Sequence, residues 1–231
     1  MAACKKNAQK SSNSCRIVAI LDTVTYKGVV STMIETFSYD SAGRLLKYQE
    51  MDSAGGRTMT YTYKGNLMIG RPDDPGYEFT DSVYLNDKGL PYRLIDDVPG
   101  QIHDNRTLTY DDSGQLLSQI FAENNGNFHV YSINYEFAGG DVIKETLGVN
   151  VTNYSYYTDR PAADGDYNRI SELRAYGIPI LRNKHLVKSD WSANYQENFT
   201  YTFDPSGKIS SYTRVTDNLT EKAVYQYDCS Q

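Results

Sequence analysis

Side chains able to do acid–base or metal chemistry are poorly spaced for it in this 231-residue chain, with 29 Asp and Glu but only three His. The histidines are His103, His129 and His185. His103 precedes Asp104 and follows Asp96-Asp97, which together have the donor types of a metal or acid–base cluster, but in a Pro-flanked stretch they read as solvated turn groups. His129 lies in Asn127-Phe-His-Val-Tyr131, whose alternation places it on a strand, and His185 follows Lys184 with no motif around it. The pairs Asp73-Asp74, Asp96-Asp97 and Asp111-Asp112 raise glycoside hydrolysis, which needs two carboxyls facing each other across about 5 to 9 Å. Neighbouring side chains on a strand point to opposite faces, and these pairs read as turn residues, so capping and solvation account for them. Asp164-Gly-Asp166 with Asn168 begins like a calcium loop, yet Arg169 and Ala175 stand where that loop needs Gly and Glu. No phosphate-binding Gly loop, nucleophile elbow or zinc-protease motif occurs, and no catalytic residue, metal or cofactor is assigned.

The remaining candidates are aromatic. The chain has 21 Tyr against seven Phe and one Trp. Tyr154, Tyr156, Tyr157, Tyr167, Tyr176 and Trp191 gather in an irregular late insert and form the candidate ligand-binding set. Such rings can stack on a sugar or anchor a protein partner, or else pack a helix onto a sheet.

The elements that must position these rings are strands. FSYDSAGRL from Phe37, LTYDDSGQL from Leu108 and YTFDPSGKI from Tyr201 repeat one design: alternating aromatics, then Asp, two small or polar residues, Gly, and an aliphatic start to the next strand. Asp at the first turn position accepts backbone N–H bonds, and Gly three residues on takes positive φ cheaply, which makes a hairpin connection. The same grammar recurs at Tyr63-Lys-Gly65, Asn86-Asp-Lys-Gly89 and Phe137-Ala-Gly-Gly140. Looser polar connections at Asp52-Ser-Ala-Gly-Gly56, Asn124-Asn-Gly-Asn127 and Asp217-Asn218 serve as turns at the opposite end. This predicts an all-β chain: one large antiparallel up-and-down meander of ten to fourteen strands, strongly curved or closed into a barrel. Residues 70–80 and 91–105, rich in Pro and acidic pairs, read as excursions off the sheet rim. Within the insert 155–195, Asp166 caps a short helix over 166–177 with Ile170, Leu173 and Tyr176 on one stripe, Gly177 as its stop and Pro179 beyond.

A net charge of −6 and the lack of any long basic run after the first ten residues exclude a nucleic-acid footprint. Mean hydropathy is −0.59, and no apolar stretch approaches the roughly 18 residues of a spanning helix. Strands such as Thr58-Met-Thr-Tyr-Thr-Tyr63 and Tyr154-Ser-Tyr-Tyr157 lack the lipid-facing alternation of a membrane barrel, so a soluble barrel or curved sheet is expected. Cys4, Cys15 and Cys229 form no Cys-x-x-Cys pair. Cys15 and Cys229 flank the patterned region and either pair, if the first and last strands are neighbours, or remain thiols. The opening MAACKKNAQKSSNSC is similar to the end of a bacterial lipoprotein signal, with Cys4 as the lipid-bearing residue. Residues 1–15 are then a flexible tether, and 16–231 a single domain.

The FSYDSAGRL, LTYDDSGQL and YTFDPSGKI hairpins resemble the tyrosine-aspartate repeats of Rhs and teneurin proteins, in which Y-D-x-x-G-x-L is the recurring turn. The CKKN start, the repeated Y-x-Y/F-D-x-x-G units and the late GIPILRNKHLVKSDW segment together resemble a family of cell-envelope lipoproteins from gut bacteria of the Bacteroides group with a porin-like β fold, over about residues 16–228. That resemblance implies an envelope location, lipid-anchored at the outer membrane or surface, and implies no catalytic residue. The functional expectation is a non-enzymatic binding or surface-assembly protein with a glycan, peptide or protein ligand, no nucleic-acid partner, and membrane contact only through the anchor. The alternative is an extracellular polymer hydrolase using Asp and Glu carboxylates.

Overall fold

A computed structural model of the chain describes residues 15–73, 80–97, 103–124 and 128–229. Its strands run β1 (Arg16–Tyr26), β2 (Val29–Tyr39), β3 (Leu45–Met51), β4 (Gly56–Lys64), β5 (Leu67–Pro72), β6 (Thr80–Leu85), β7 (Pro91–Asp97) and β8 (His103–Tyr110). They continue as β9 (Leu116–Asn124), β10 (Phe128–Ala138), β11 (Asp141–Leu147) and β12 (Asn150–Pro161). After the helix α1 (Tyr167–Tyr176) come β13 (His185–Trp191), β14 (Gln196–Phe203), β15 (Ile209–Val215) and β16 (Leu219–Asp228). Every strand pairs antiparallel with its sequence neighbours, and β1 pairs with β16, so the meander closes into an up-and-down barrel. The expected all-β meander with one short helix is therefore what forms, and the barrel is closed.

The strand number is sixteen rather than ten to fourteen. The excess comes largely from the stretch read as rim excursions. β7 and β8 are ladder strands, and Pro91 is tolerated because it opens β7 at a register shift opposite Leu85, where a missing N–H is cheap. Asp96 and Asp97 consequently lie on a strand and not in a turn, with Asp96 opposite both Asp81 and Asp104. The rest of those stretches, 74–79 and 98–102, lies outside the described residues.

The hairpins at one end are built by the repeat. After β2, β6, β8 and β14, a Gly N–H donates to the carbonyl of Asp40, Asn86, Asp111 or Asp204, with Gly43, Gly89, Gly114 and Gly207 all at positive φ. The Asp or Asn side chain accepts from the backbone beyond it: Asp40 Oδ1 takes Ala42 N–H at 2.9 Å and Arg44 N–H at 2.8 Å. Asp204 Oδ1 likewise takes Ser206 and Lys208 N–H at 2.8 and 3.0 Å. A one-residue register shift accompanies each of these four turns. The same end holds the disulfide Cys15–Cys229, which staples β1 to β16 at the seam.

Register fixes the two faces. Outward rows read Gln226, Ala19, Thr36, Gln49, Thr58 and, further along, Thr200, Thr213, Lys222, Thr23, Thr32. Between them runs an exposed apolar row, Val224, Leu21, Ile34, Met51, and further exposed apolar residues such as Ile120, Val130, Ile143, Trp191 and Val215 stand on other strands. The polar rows on either side of Leu21 and Ile34 interrupt the apolar girdle about 25 Å tall that faces lipid on a membrane barrel. The inward face carries the core instead: Ile20, Phe37, Tyr48, Met68, Leu116, Phe199 and Tyr212 are all buried. Sixteen strands ordinarily enclose a water-filled channel. Here the insert between β12 and β13 folds back into the lumen and fills it.

Candidate functional site

Helix α1 forms where the sequence placed it. Asp166 Oδ1 caps it by accepting Asn168 N–H at 3.0 Å, while Oδ2 accepts Val187 N–H at 3.2 Å and ties the helix to β13. Both oxygens of Asp166 thus serve backbone donors, and Asp164 pairs with Arg169 at 3.3 Å. At the other end Gly177 takes φ +69° and returns its N–H to Leu173 O. A side chain there would drive into the ring of Tyr61 on β4, 2.7 Å away, so the chain leaves the helix in contact with the far wall. Glu172 then accepts Ile180 and Leu181 N–H at 2.6 and 3.0 Å, and Asp141 on β11 accepts Lys184 and His185 N–H, each at 2.8 Å.

Arg174 carries the plug's main polar contact. Its guanidinium reaches Asp22 at 3.0 Å, Glu35, Glu221 at 3.5 Å and the Tyr212 hydroxyl at 3.4 Å, joining α1 to β1, β2, β15 and β16. Glu35 is 0% exposed, while the Arg174 side chain keeps 18% of its surface in solvent. Arg214 continues the network to Glu197 at 2.6 Å and Glu221 at 2.9 Å. On the opposite wall Arg106 donates to the Tyr176 hydroxyl at 2.9 Å and pairs with Asp96 at 3.6 Å, while Arg57 pairs with Glu50 at 2.7 Å. Strand after strand thus offers the lumen a carboxylate on the side of the plug away from the Asp-x-x-Gly turns. Sequence reasoning singled out Asp96, but as a turn residue, and missed the rest of the belt because each other acid stands alone at an inward position, where a polar residue looks like a break in the alternation.

Not every carboxyl in the belt has a cation. Burial, then the neighbouring Asp96, pushes Asp81 up to about 7, and burial, then Glu197, does the same to Asp190. Burial raises Asp22 to about 7 with Glu221 adding to it and Arg174 opposing. Glu221 goes the other way, held low against its own burial by bonds from Tyr212 and Arg214. One oxygen each of Asp22 and Asp190 is buried without a protein partner, which suits a carboxyl that keeps its proton.

A cavity of about 400 Å³ remains at the mouth on the turn side, between α1 and the first strands. Ile17, Leu45 and Ile170 form its buried floor, with Tyr39, Tyr63, Leu85, Leu173 and Ile178 around them. The hydroxyls of Tyr39 and Tyr63 donate to Ile17 O (3.0 Å) and Leu45 O (2.8 Å), leaving the rings as apolar wall. Arg16, Arg44 and Arg169 stand at the rim with Asp164.

The aromatic candidates divide between the two faces of the barrel wall. Tyr154 points inward and donates to Glu145 at 3.2 Å, and Tyr157 donates to Phe199 O at 2.8 Å. Tyr156 has a buried hydroxyl without a protein partner. Tyr167 lies 4.5 Å from Phe199 and edge-on to Tyr212, and Tyr176 takes the Arg106 bond. Trp191, 38% exposed, faces outward beside Asn153 and Gln196, away from the other five. Cys4 lies outside the described residues. His129 sits opposite Glu123, His185 Nδ1 is 2.6 Å from Asp141 Oδ2, and His103 begins β8 opposite Asp97. Among the described residues no group of three or more His, Cys, Asp or Glu is arranged to hold a metal ion.

No family model matches the chain, and no curated protein matches it. Among solved structures, the barrel is similar to a porin-like protein from Bacteroides uniformis ATCC 8492 at a TM-score of 0.71 and 17% identity, over 92% of this chain and 98% of that one. A porin-like protein from Bacteroides vulgatus ATCC 8482 aligns over 93% of this chain and 99% of its own at 13% identity and a TM-score of 0.35. The first of these likenesses shows a shared fold.

Proposed function

We propose that the chain is a non-enzymatic binding barrel of the cell envelope, which holds a small ligand at the mouth beside its plug and does not conduct through its lumen. The observation that carries this is the insert itself, which places a helix in the lumen, anchored to four strands by Arg174, and leaves a cavity of about 400 Å³ at the rim. The Thr, Gln and Lys rows on the outer wall argue that the barrel stands in water, with any membrane contact made through a lipid on Cys4 and the tether of residues 1–15. The Cys15–Cys229 disulfide fits an oxidising compartment, as does the fold shared with the porin-like protein from Bacteroides uniformis. Purified without detergent, the protein should stay monodisperse and leave planar-bilayer conductance unchanged; channel activity would overturn the reading. Glycan binding through Trp191 on the outer wall belongs to the same proposal, and a glycan array with Trp191→Ala as control tests it.

One observation favours a second reading, polymer hydrolysis. Asp81 and Asp96 face each other across β6 and β7, and both are raised by burial, as in two carboxyls sharing a proton. Polysaccharide or peptide cleavage lost in both Asp81→Asn and Asp96→Asn would establish it.

A further inference from the structure

We infer that the mouth cavity takes an uncharged, hydrocarbon-rich ligand, held by its apolar walls and not by the charges at its rim. The inference rests on the binding reading above and adds the chemical class of the ligand. Ile17, Leu45 and Ile170 make a buried apolar floor. The polar groups of the wall are answered from inside the protein. The Tyr39 hydroxyl donates to Ile17 O at 3.0 Å, and that of Tyr63 to Leu45 O at 2.8 Å. On the insert side, Tyr225 donates to Gly165 O at 2.9 Å and Tyr227 to Asp164 O at 3.1 Å. Tyrosines of β2, β4 and β16 thus spend their donors on four carbonyls of the cavity lining. A water needs about two to four polar partners to sit well in a cavity, and a sugar needs a partner for each hydroxyl it buries. A hydrocarbon needs none and displaces loosely held water, and about 400 Å³ lies within the range of small-molecule sites.

The rim has its charges engaged already. Arg44 pairs with Asp40 at 2.7 Å, and Arg169 with Asp164 at 3.3 Å. Arg16 reaches Asp40 O at 3.4 Å and holds its guanidinium 5.5 Å from the Tyr39 ring centroid, as Arg44 does 4.2 Å from that of Tyr63. These groups close over the aromatic wall as a collar whose partners lie within the protein. A carboxylate or ammonium on the ligand would have to displace one of them, and so gains nothing over a hydroxyl left in water.

Calorimetric titration of the full chain with octanol, decanol and dodecanol below their solubility limits tests the assignment, with laurate, dodecyltrimethylammonium and maltose as the charged and sugar arms. Each alcohol should bind one to one, with affinity rising roughly fourfold per methylene until the cavity is full. Laurate and the ammonium should bind no more tightly than dodecanol, and maltose should not bind in the cavity. Leu173→Trp, or Leu85→Trp from the opposite wall should the first unfold, fills the cavity and should abolish alcohol binding. Laurate or the ammonium binding at least tenfold more tightly than dodecanol would overturn the uncharged class and leave the cavity as a binding site. Maltose binding that the filling variants abolish would overturn the apolar class in the same way. Failure of every probe to bind, or binding that survives the filling variants, would remove the cavity as a site and with it the binding reading.

Discussion

At the scale of single residues, the buried charges decide most. Arg174 ties Asp22, Glu35 and Glu221 together, so Arg174→Ala leaves Asp22 and Glu35 without their cation around a void, with Glu221 still held by Arg214. Breaking such a buried network costs about 3–5 kcal/mol, and urea denaturation should show a loss of that order. A loss under about 1 kcal/mol would mean that water reaches the site. The carboxyls without cations give a pH signature. Asp81 and Asp190 sit near 7 when folded and near the ordinary value of about 4 when unfolded, so folding takes up their protons between those values. Their contribution is complete below about pH 4 and is lost as pH rises through about 7. The melting temperature should therefore fall from pH 5.5 to pH 8, by several degrees if each group loses roughly 1–2 kcal/mol. Glu221 and the turn acids Asp40, Asp111 and Asp204 are lowered, so their opposite effect falls in more acidic solution. Asp190→Asn should flatten part of the slope, and an unchanged slope would place the titration elsewhere. Trp191 touches none of this, and Trp191→Ala should leave stability within about 0.5 kcal/mol.

At the scale of elements, two glycines separate conformation from contact. Gly207 and Gly177 both require positive φ, but an added Cβ meets open space at the first and the Tyr61 ring at 2.7 Å at the second. Gly207→Ala should cost about 1–2 kcal/mol, the left-handed penalty alone. Gly177→Ala should cost clearly more and raise hydrogen exchange along α1, because the plug must back away from β4; equal costs would show that the plug does not press on that wall. These turns and the helix were legible in the sequence, since Asp-x-x-Gly and the Asp166 to Gly177 caps work through local backbone geometry. β7 was not legible. Its inward Asp96 and opening Pro91 mimic a loop, and only the barrel interior explains why an acid stands where an apolar residue belongs. The mouth cavity was hidden for a related reason. Its walls come from residues as distant as Ile17 and Ile178, which only closure brings together.

At the scale of the whole molecule, closure depends on the seam. β1 and β16 are far apart in the chain and adjacent in the barrel, and the disulfide spans 214 residues of sequence. Replacing both cysteines with Ser should cost about 2–5 kcal/mol in chemical denaturation under oxidising conditions, and the same loss should appear when the native protein is reduced. No change would mean that the β1–β16 ladder holds by itself. The seam also governs how the molecule carries load. Handles attached to the two ends of the chain in an optical trap pull on Cys15 and Cys229, so in the oxidised protein the tension passes through one S–S bond and the barrel behind it is mechanically silent. Reduced, the same pull acts on the open ends of two antiparallel neighbours, where hydrogen bonds break one after another like a zip, and roughly 700 Å of slack chain becomes available. A single thiol exchange thus separates an inextensible object from one that unravels.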